Sequence, residues 1–217
     1  MDSKHEEVFE TEVSYESESP HVQQAVEMMN QVIASGQEYT DHDFPAKKTS
    51  LMKPKDKKQP NWGSNWIRAR KINSNVSLFK SDPRPDDIQQ GSLGDCYYLA
   101  CLAAMAEYPE RVRARFINKS INKSGIYGVV LYISGEEHVI IVDDLVPCWQ
   151  GGSPICCKFR NDKLWVILME KVWAKMHGSY VRTWGGWPHF VWPYFTGMPA
   201  YIMPHKEVSK EDLWDRI

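Results

Sequence analysis

The stretch Gln90-Gly-Ser-Leu-Gly-Asp-Cys96-Tyr-Tyr-Leu-Ala100 leaves the backbone few choices. Two glycines within four residues permit a tight turn, and Asp95 is a good N-cap for a helix that starts at once. Leu99, Leu102, Ala103 and Ala106 then fall at i, i+3, i+4 and i+7, so one face of that helix is buried, and Pro109 stops it. Cys96 sits in the first turn, where unpaired backbone amides and the helix dipole favour an anion. The thiolate is the attacking form of cysteine, so the position suits a nucleophile. Gln90 lies six residues upstream, and the turn can fold its amide back beside the sulfur. With the Cys96 N–H it would form a two-donor oxyanion hole.

The remaining pattern is that of an α+β chain. Residues 1 to about 20 are rich in Glu and Ser, and the segment 1–36 reads as an acidic, disordered leader. Within it, Val22, Val26, Met29 and Ile33 recur at helical spacing, with Gly36 as a stop. Ala46 to Pro60 is a lysine-rich connector. Ile126–Ile133 and His138–Val142 read as two strands joined by a hairpin turn over Ser134–Glu137. Leu164, Trp165, Leu168, Met169, Val172, Trp173 and Met176 define an amphipathic helix that Gly178 ends. Gly185 to Pro204, rich in Gly, Pro and Trp, reads as an ordered loop.

Composition narrows the function classes. A net charge of -2 gives no concentrated basic face for nucleic acid. No run approaches the eighteen apolar residues of a membrane span, and the start has no apolar signal core. A cytoplasmic location follows as an expectation, with all five cysteines kept as thiols. None forms a CxxC pair. Cys101 lies beyond the helix start, and Cys148, Cys156 and Cys157 have neither a basic neighbour nor a helix start, so these four read as structural.

QGSLGDCYYLA resembles the active-site motif of the calpains, papain-like cysteine proteases in which a glutamine precedes a cysteine at a helix N-terminus. Three other stretches agree in order. They are Tyr39-Thr-Asp41-His-Asp-Phe44-Pro45 followed by Ser50-Leu51; Val142-Asp143-Asp144-Leu-Val-Pro147; and Leu164-Trp165 through Lys175, with Gly178-Ser-Tyr180 and Phe195-Thr-Gly197. The resemblance covers about residues 37 to 200. It implies a papain-like α+β core, a helix-rich lobe with a small antiparallel sheet. It also implies Cys96 as nucleophile, Gln90 in the oxyanion hole, and protein substrates. Residues 37–205 correspond to the Cys-bearing subdomain, and 206–217 to a truncated start of the second. The resemblance further implies a calcium ion held in this lobe by Asp87 and Glu170, with backbone carbonyls completing its oxygen ligands.

The family's general base and its orienting partner come from His-Ala-Tyr and Asn-x-Trp-Gly motifs of the second subdomain, and this sequence contains neither. His5, His21, His42, His138, His177, His189 and His205 lack those flanking residues. The expectation is a calcium-dependent endopeptidase represented by its Cys-bearing half, with the missing second subdomain as its partner. The alternative is a protease-derived lobe that binds a partner without catalysis.

Overall fold

A computed structural model of the chain describes residues 9–63, 65–203, 206 and 208–215. Among the described residues the α-helices are α1 (Pro20–Ser35), α2 (Lys48–Leu51), α3 (Ala69–Ile72), α4 (Cys96–Ala106), α5 (Pro109–Arg113), α6 (Trp165–His177), α7 (Trp192–Thr196) and α8 (Lys210–Trp214). The strands of the described residues make two antiparallel pairs. β1 (Asn65–Arg68) pairs β4 (Leu145–Cys148), and β2 (Ile126–Ile133) pairs β3 (Glu136–Asp143). The expected α+β class, helix-rich with small antiparallel sheets, is the class observed. No helix among the described residues is long and apolar enough to cross a membrane.

The β2–β3 hairpin is paired end to end, from Ile126 opposite Asp143 to Ile133 opposite Glu136. Its loop is only Ser134 and Gly135, both at positive φ (55° and 86°), the geometry that matches strand twist. The second strand therefore starts at Glu136, two residues earlier than the sequence pattern suggests. β2 is buried on both faces. Tyr127, Val129 and Leu131 face the main core, while Ile126 and Val130 face α1 around Met29. Gly128 lies on the α1 side, where a Cβ would come within 2.8 Å of the Met29 sulfur. α1, expected from its spacing, thus covers one face of the hairpin.

The leader is ordered where it is described. Asn30 on α1 reads the backbone of Val13 like a neighbouring strand, accepting from its N–H (2.8 Å) and donating to its carbonyl (2.9 Å). Val13 is buried, the Glu10 N–H donates to the Ile121 carbonyl, and the Tyr15 hydroxyl donates to the Ala114 carbonyl. Composition underestimates this segment because its order comes from backbone hydrogen bonds to distant residues. Residues 1–8 lie outside the described ones.

α6 departs most from expectation. It is not amphipathic: every residue from Trp165 to Ala174 is buried, Glu170 and Lys171 included. A helix buried on all sides must give each charged side chain a partner. Lys171 is paired with Asp143 and donates to the Leu145 carbonyl. Lys175 donates to Asp41 (2.7 Å) and to the Ile141 carbonyl. Asp143 also accepts the Asp41 N–H, and its neighbour Asp144 pairs with Arg68 at 2.6 Å. The two adjacent aspartates thus point to different cations, which join α6, the hairpin end and β1.

Lys171→Met should lower the unfolding free energy by about 3 kcal/mol or more, because Asp143 is left buried without its cation. Adding Asp143→Leu should recover part of the loss. Urea denaturation measures both, and a single-variant cost below about 1 kcal/mol would contradict this account of α6.

Candidate active site

The turn before α4 is clamped on two sides. The Ser92 N–H donates to the Ile155 carbonyl (2.8 Å), and the Lys158 N–H donates to the Gln89 carbonyl (3.0 Å). On the other side the Gly185 N–H donates to the Gly94 carbonyl (2.8 Å). The two glycines serve this close approach and have no positive φ. A Cβ on Gly91 would stand 1.8 Å from the Cys156 carbonyl oxygen, and one on Gly94 would stand 2.3 Å from the Trp184 indole nitrogen. Trp184 stacks on Trp62, and the Lys58 ammonium sits 4.0 Å above its ring. The lysine-rich connector thus supplies part of the wall behind the turn.

Cys96 emerges from this clamp as the first residue of α4, with its side chain exposed. No acceptor among the described residues takes its N–H, as expected of a first-turn amide. The Gln90 amide donates to the Leu93 carbonyl at 2.6 Å, a bond that fixes the amide plane and leaves one of its two N–H groups free. The other thiols are buried and disfavour ionisation. Burial pushes Cys101 and Cys148 up to about 11, and Cys156 and Cys157 well above the usual thiol range. The neighbouring carboxyls of Glu170 and Asp95 add to the effect on the last two.

Asp95 does not cap the helix through its side chain. It is fully buried and receives no amide or hydroxyl of another residue; its carboxyl meets that of Glu170. Glu170 is buried too and accepts the Cys157 N–H with both oxygens, at 3.2 and 2.9 Å. Two carboxyls in contact require a shared proton. Burial raises both, Asp95 to about 7 and Glu170 well above the usual carboxylate range, and the charge of Asp95 raises Glu170 further. An Asp before a helix start reads as a cap, so sequence reasoning missed this pair. A charge in the middle of α6 was the available signal.

The expected calcium ligands Asp87 and Glu170 each take hydrogen bonds from the chain itself and share no partner. Asp87 accepts from Lys163 (2.9 Å), Trp165 (3.1 Å) and the Arg84 N–H (2.9 Å) on one oxygen, and from Asn161 (3.1 Å) on the other. Burial alone would raise its carboxyl, but these four donors hold it below the usual range. Glu170 is committed to Cys157 and Asp95. The described residues contain no group of three His, Cys, Asp or Glu side chains placed to hold a metal ion. As arranged, Asp87 and Glu170 do not fit a shared calcium ion.

No described histidine hydrogen-bonds to Cys96. His177 bonds through Nδ1 to the Trp173 carbonyl (2.8 Å), His189 packs on Phe190, and His21 stacks on His138. His5 and His205 lie outside the described residues. His177 and His189 line a cavity of about 970 Å³ beside Tyr97, Trp173 and Gly186. Tyr97 accepts a hydrogen bond from the Trp173 indole (3.0 Å), so the residue after the cysteine is fixed from α6.

Limiting iodoacetamide at neutral pH should label Cys96 first by peptide mapping, and early labelling of Cys101 or Cys148 would overturn the assignment. The acid pair gives a pH prediction. In the unfolded chain both carboxyls ionise above about pH 4. Since both are raised in the fold, the stability they contribute is complete below that pH and is lost as pH rises through about 7, where Asp95 titrates. Asp95→Asn should therefore gain in Tm over wild type as pH rises from about 5 to 8. An equal Tm difference at both ends would show that the pair holds no proton.

Residues 39–217 match the family model described as calpain family cysteine protease. The chain is 35% identical over 190 residues to the calpain-type cysteine protease DEK1 of Zea mays, covering 82% of this chain and 9% of that protein. It is 36% identical over 190 residues to the calpain-type cysteine protease ADL1 of Oryza sativa subsp. japonica, with the same 82% and 9% coverage. Calpain-A of Drosophila melanogaster is 31% identical over 168 residues, 76% of this chain and 20% of that protein. The chain therefore spans a small part of the length of these relatives. With the QGSLGDC turn clamped and its cysteine exposed at a helix start, the chain belongs to the calpain family of cysteine proteases.

Proposed function

We propose that this chain is the nucleophile-bearing lobe of an endopeptidase that cuts proteins at exposed, flexible segments. The supporting observation is that Cys96 is the one exposed thiol of five and lies at the start of α4 behind a doubly clamped turn. Its thiolate attacks the scissile carbonyl carbon, forming the C–S bond of a tetrahedral intermediate. The Cys96 N–H and the free N–H of the Gln90 amide stabilise the oxyanion. Collapse breaks the C–N bond, and the amine leaves with a proton from a histidine on a second lobe. Water then hydrolyses the thioester. Five free thiols, four of them buried, support a reducing, cytoplasmic setting. Calcium dependence, implied by family resemblance, has no support at Asp87 and Glu170, and no step of this reading passes through the ion.

The alternative is a protease-derived lobe that binds a partner without catalysis. A single experiment separates the two readings. The 217-residue chain alone should not hydrolyse casein above background, since losing the base costs several orders of magnitude. Supplying a second lobe with the His and Asn motifs, by fusion or in trans, should give cleavage. Cys96→Ala should abolish it, and Gln90→Ala should lower kcat by about 10²-fold or more while Cys96 still alkylates. Failure of every complemented form to cleave would favour a binding module.

A further inference from the structure

The loop from Asp82 to Asp87 leads directly into the clamped turn. It presents inward the donor set expected around a small hard cation, a backbone carbonyl and a carboxylate. Both are already occupied. The Lys163 ammonium donates to the Asp82 carbonyl at 2.7 Å and to the Asp87 carboxylate at 2.9 Å. The two side chains are 3% and 0% exposed, so this is a fully enclosed contact. The Asp82 carboxylate points away to Arg113 (3.1 Å), and Asp86 lies toward Arg84 at 3.8 Å. Both of these carboxylates are solvent-exposed and lie outside the enclosed pair. Lys163 itself is held where α6 begins: the Ser77 N–H donates to the Asp162 carbonyl, and the Leu164 N–H donates to the Ser77 carbonyl.

We propose that Lys163 is a resident cation, taking the place of a divalent ion at the Asp82–Asp87 loop and fastening the Cys96 turn to α6 without calcium. A protonated amine matches one carbonyl and one carboxylate at hydrogen-bond distance, and it is delivered covalently with the chain. The loop is therefore set at every calcium concentration. Lys163 acts through Asp87 on the segment that carries Gln90, which makes it a positioning residue. The inference rests on the placement of the turn and not on peptidase activity, so it can fail independently of the proposed function.

The test reads thermal stability and the rate of Cys96 alkylation, each with about 5 mM calcium and with chelator, in the full chain. Wild type should give the same Tm and the same alkylation rate in both conditions. Lys163→Ala vacates the Asp82 carbonyl and Asp87, so calcium should raise its Tm by roughly 5 °C and return its alkylation rate toward wild type. Lys163→Arg, which keeps a cation, should stay indifferent to calcium. A wild-type Tm that climbs with calcium and loses the climb in Asp87→Asn would overturn the proposal. So would a Lys163→Ala chain equally unstable with and without calcium, since the ammonium would then not be standing where an ion can.

Discussion

Burial of α6 on all sides is the constraint from which most of the structure follows. An apolar helix could be buried anywhere, but one carrying Glu170, Lys171 and Lys175, with Lys163 at its approach, fits only where four partners await. Those partners come from separate segments: Asp41 ahead of α2, Asp87 before the Cys96 turn, Asp95 at the head of α4, and Asp143 at the end of the hairpin. Apolar burial supplies most of the driving force and is tolerant of direction. The charged contacts are not tolerant, because any misplacement leaves a buried charge unpaired. They fix how the segments sit around α6 more than they add net stability.

The site inherits its rigidity from this arrangement. Cys96 is exposed, yet the backbone beneath it is pressed against Cys156, Trp184 and Gly185, and its neighbours are anchored on α6. Tyr97 is held by Trp173. Tyr98 stacks on Trp173 at 4.8 Å and donates to the Met169 carbonyl. Asp95 meets Glu170. For the nucleophile role proposed for Cys96, a fixed backbone preserves the advantage of orientation that a mobile surface turn would lose. Here the flexible element is reduced to one side chain on a fixed backbone.

Much of this was legible in the sequence, for identifiable reasons. The turn and helix around Cys96, the hairpin and α1 were readable because local chemistry and periodicity decide them. The stop at Gly178 was equally plain, a positive-φ residue after the last periodic position. The failures share one cause, contact between residues far apart in the chain. Periodicity cannot tell an amphipathic helix from one whose charges are matched inside, so α6 reads as one-sided. Gly91 and Gly94 look like turn-formers, whereas an opposing carbonyl and an indole exclude a side chain there. Asp87 and Glu170 carry the residue types of a shared ion site, but Lys163 and Cys157 reach them first.

The burial of four thiols around one exposed cysteine also bears on how this lobe meets an oxidant. A peroxide that converts Cys96 to the sulfenic acid finds no neighbouring thiolate ready to close a protective disulfide, because Cys101, Cys148, Cys156 and Cys157 are enclosed and held protonated. Rescue must come from outside, by a small thiol that caps the sulfur reversibly before further oxygen makes the damage permanent. The fate of the oxidised cysteine is then set by the thiol pool around it.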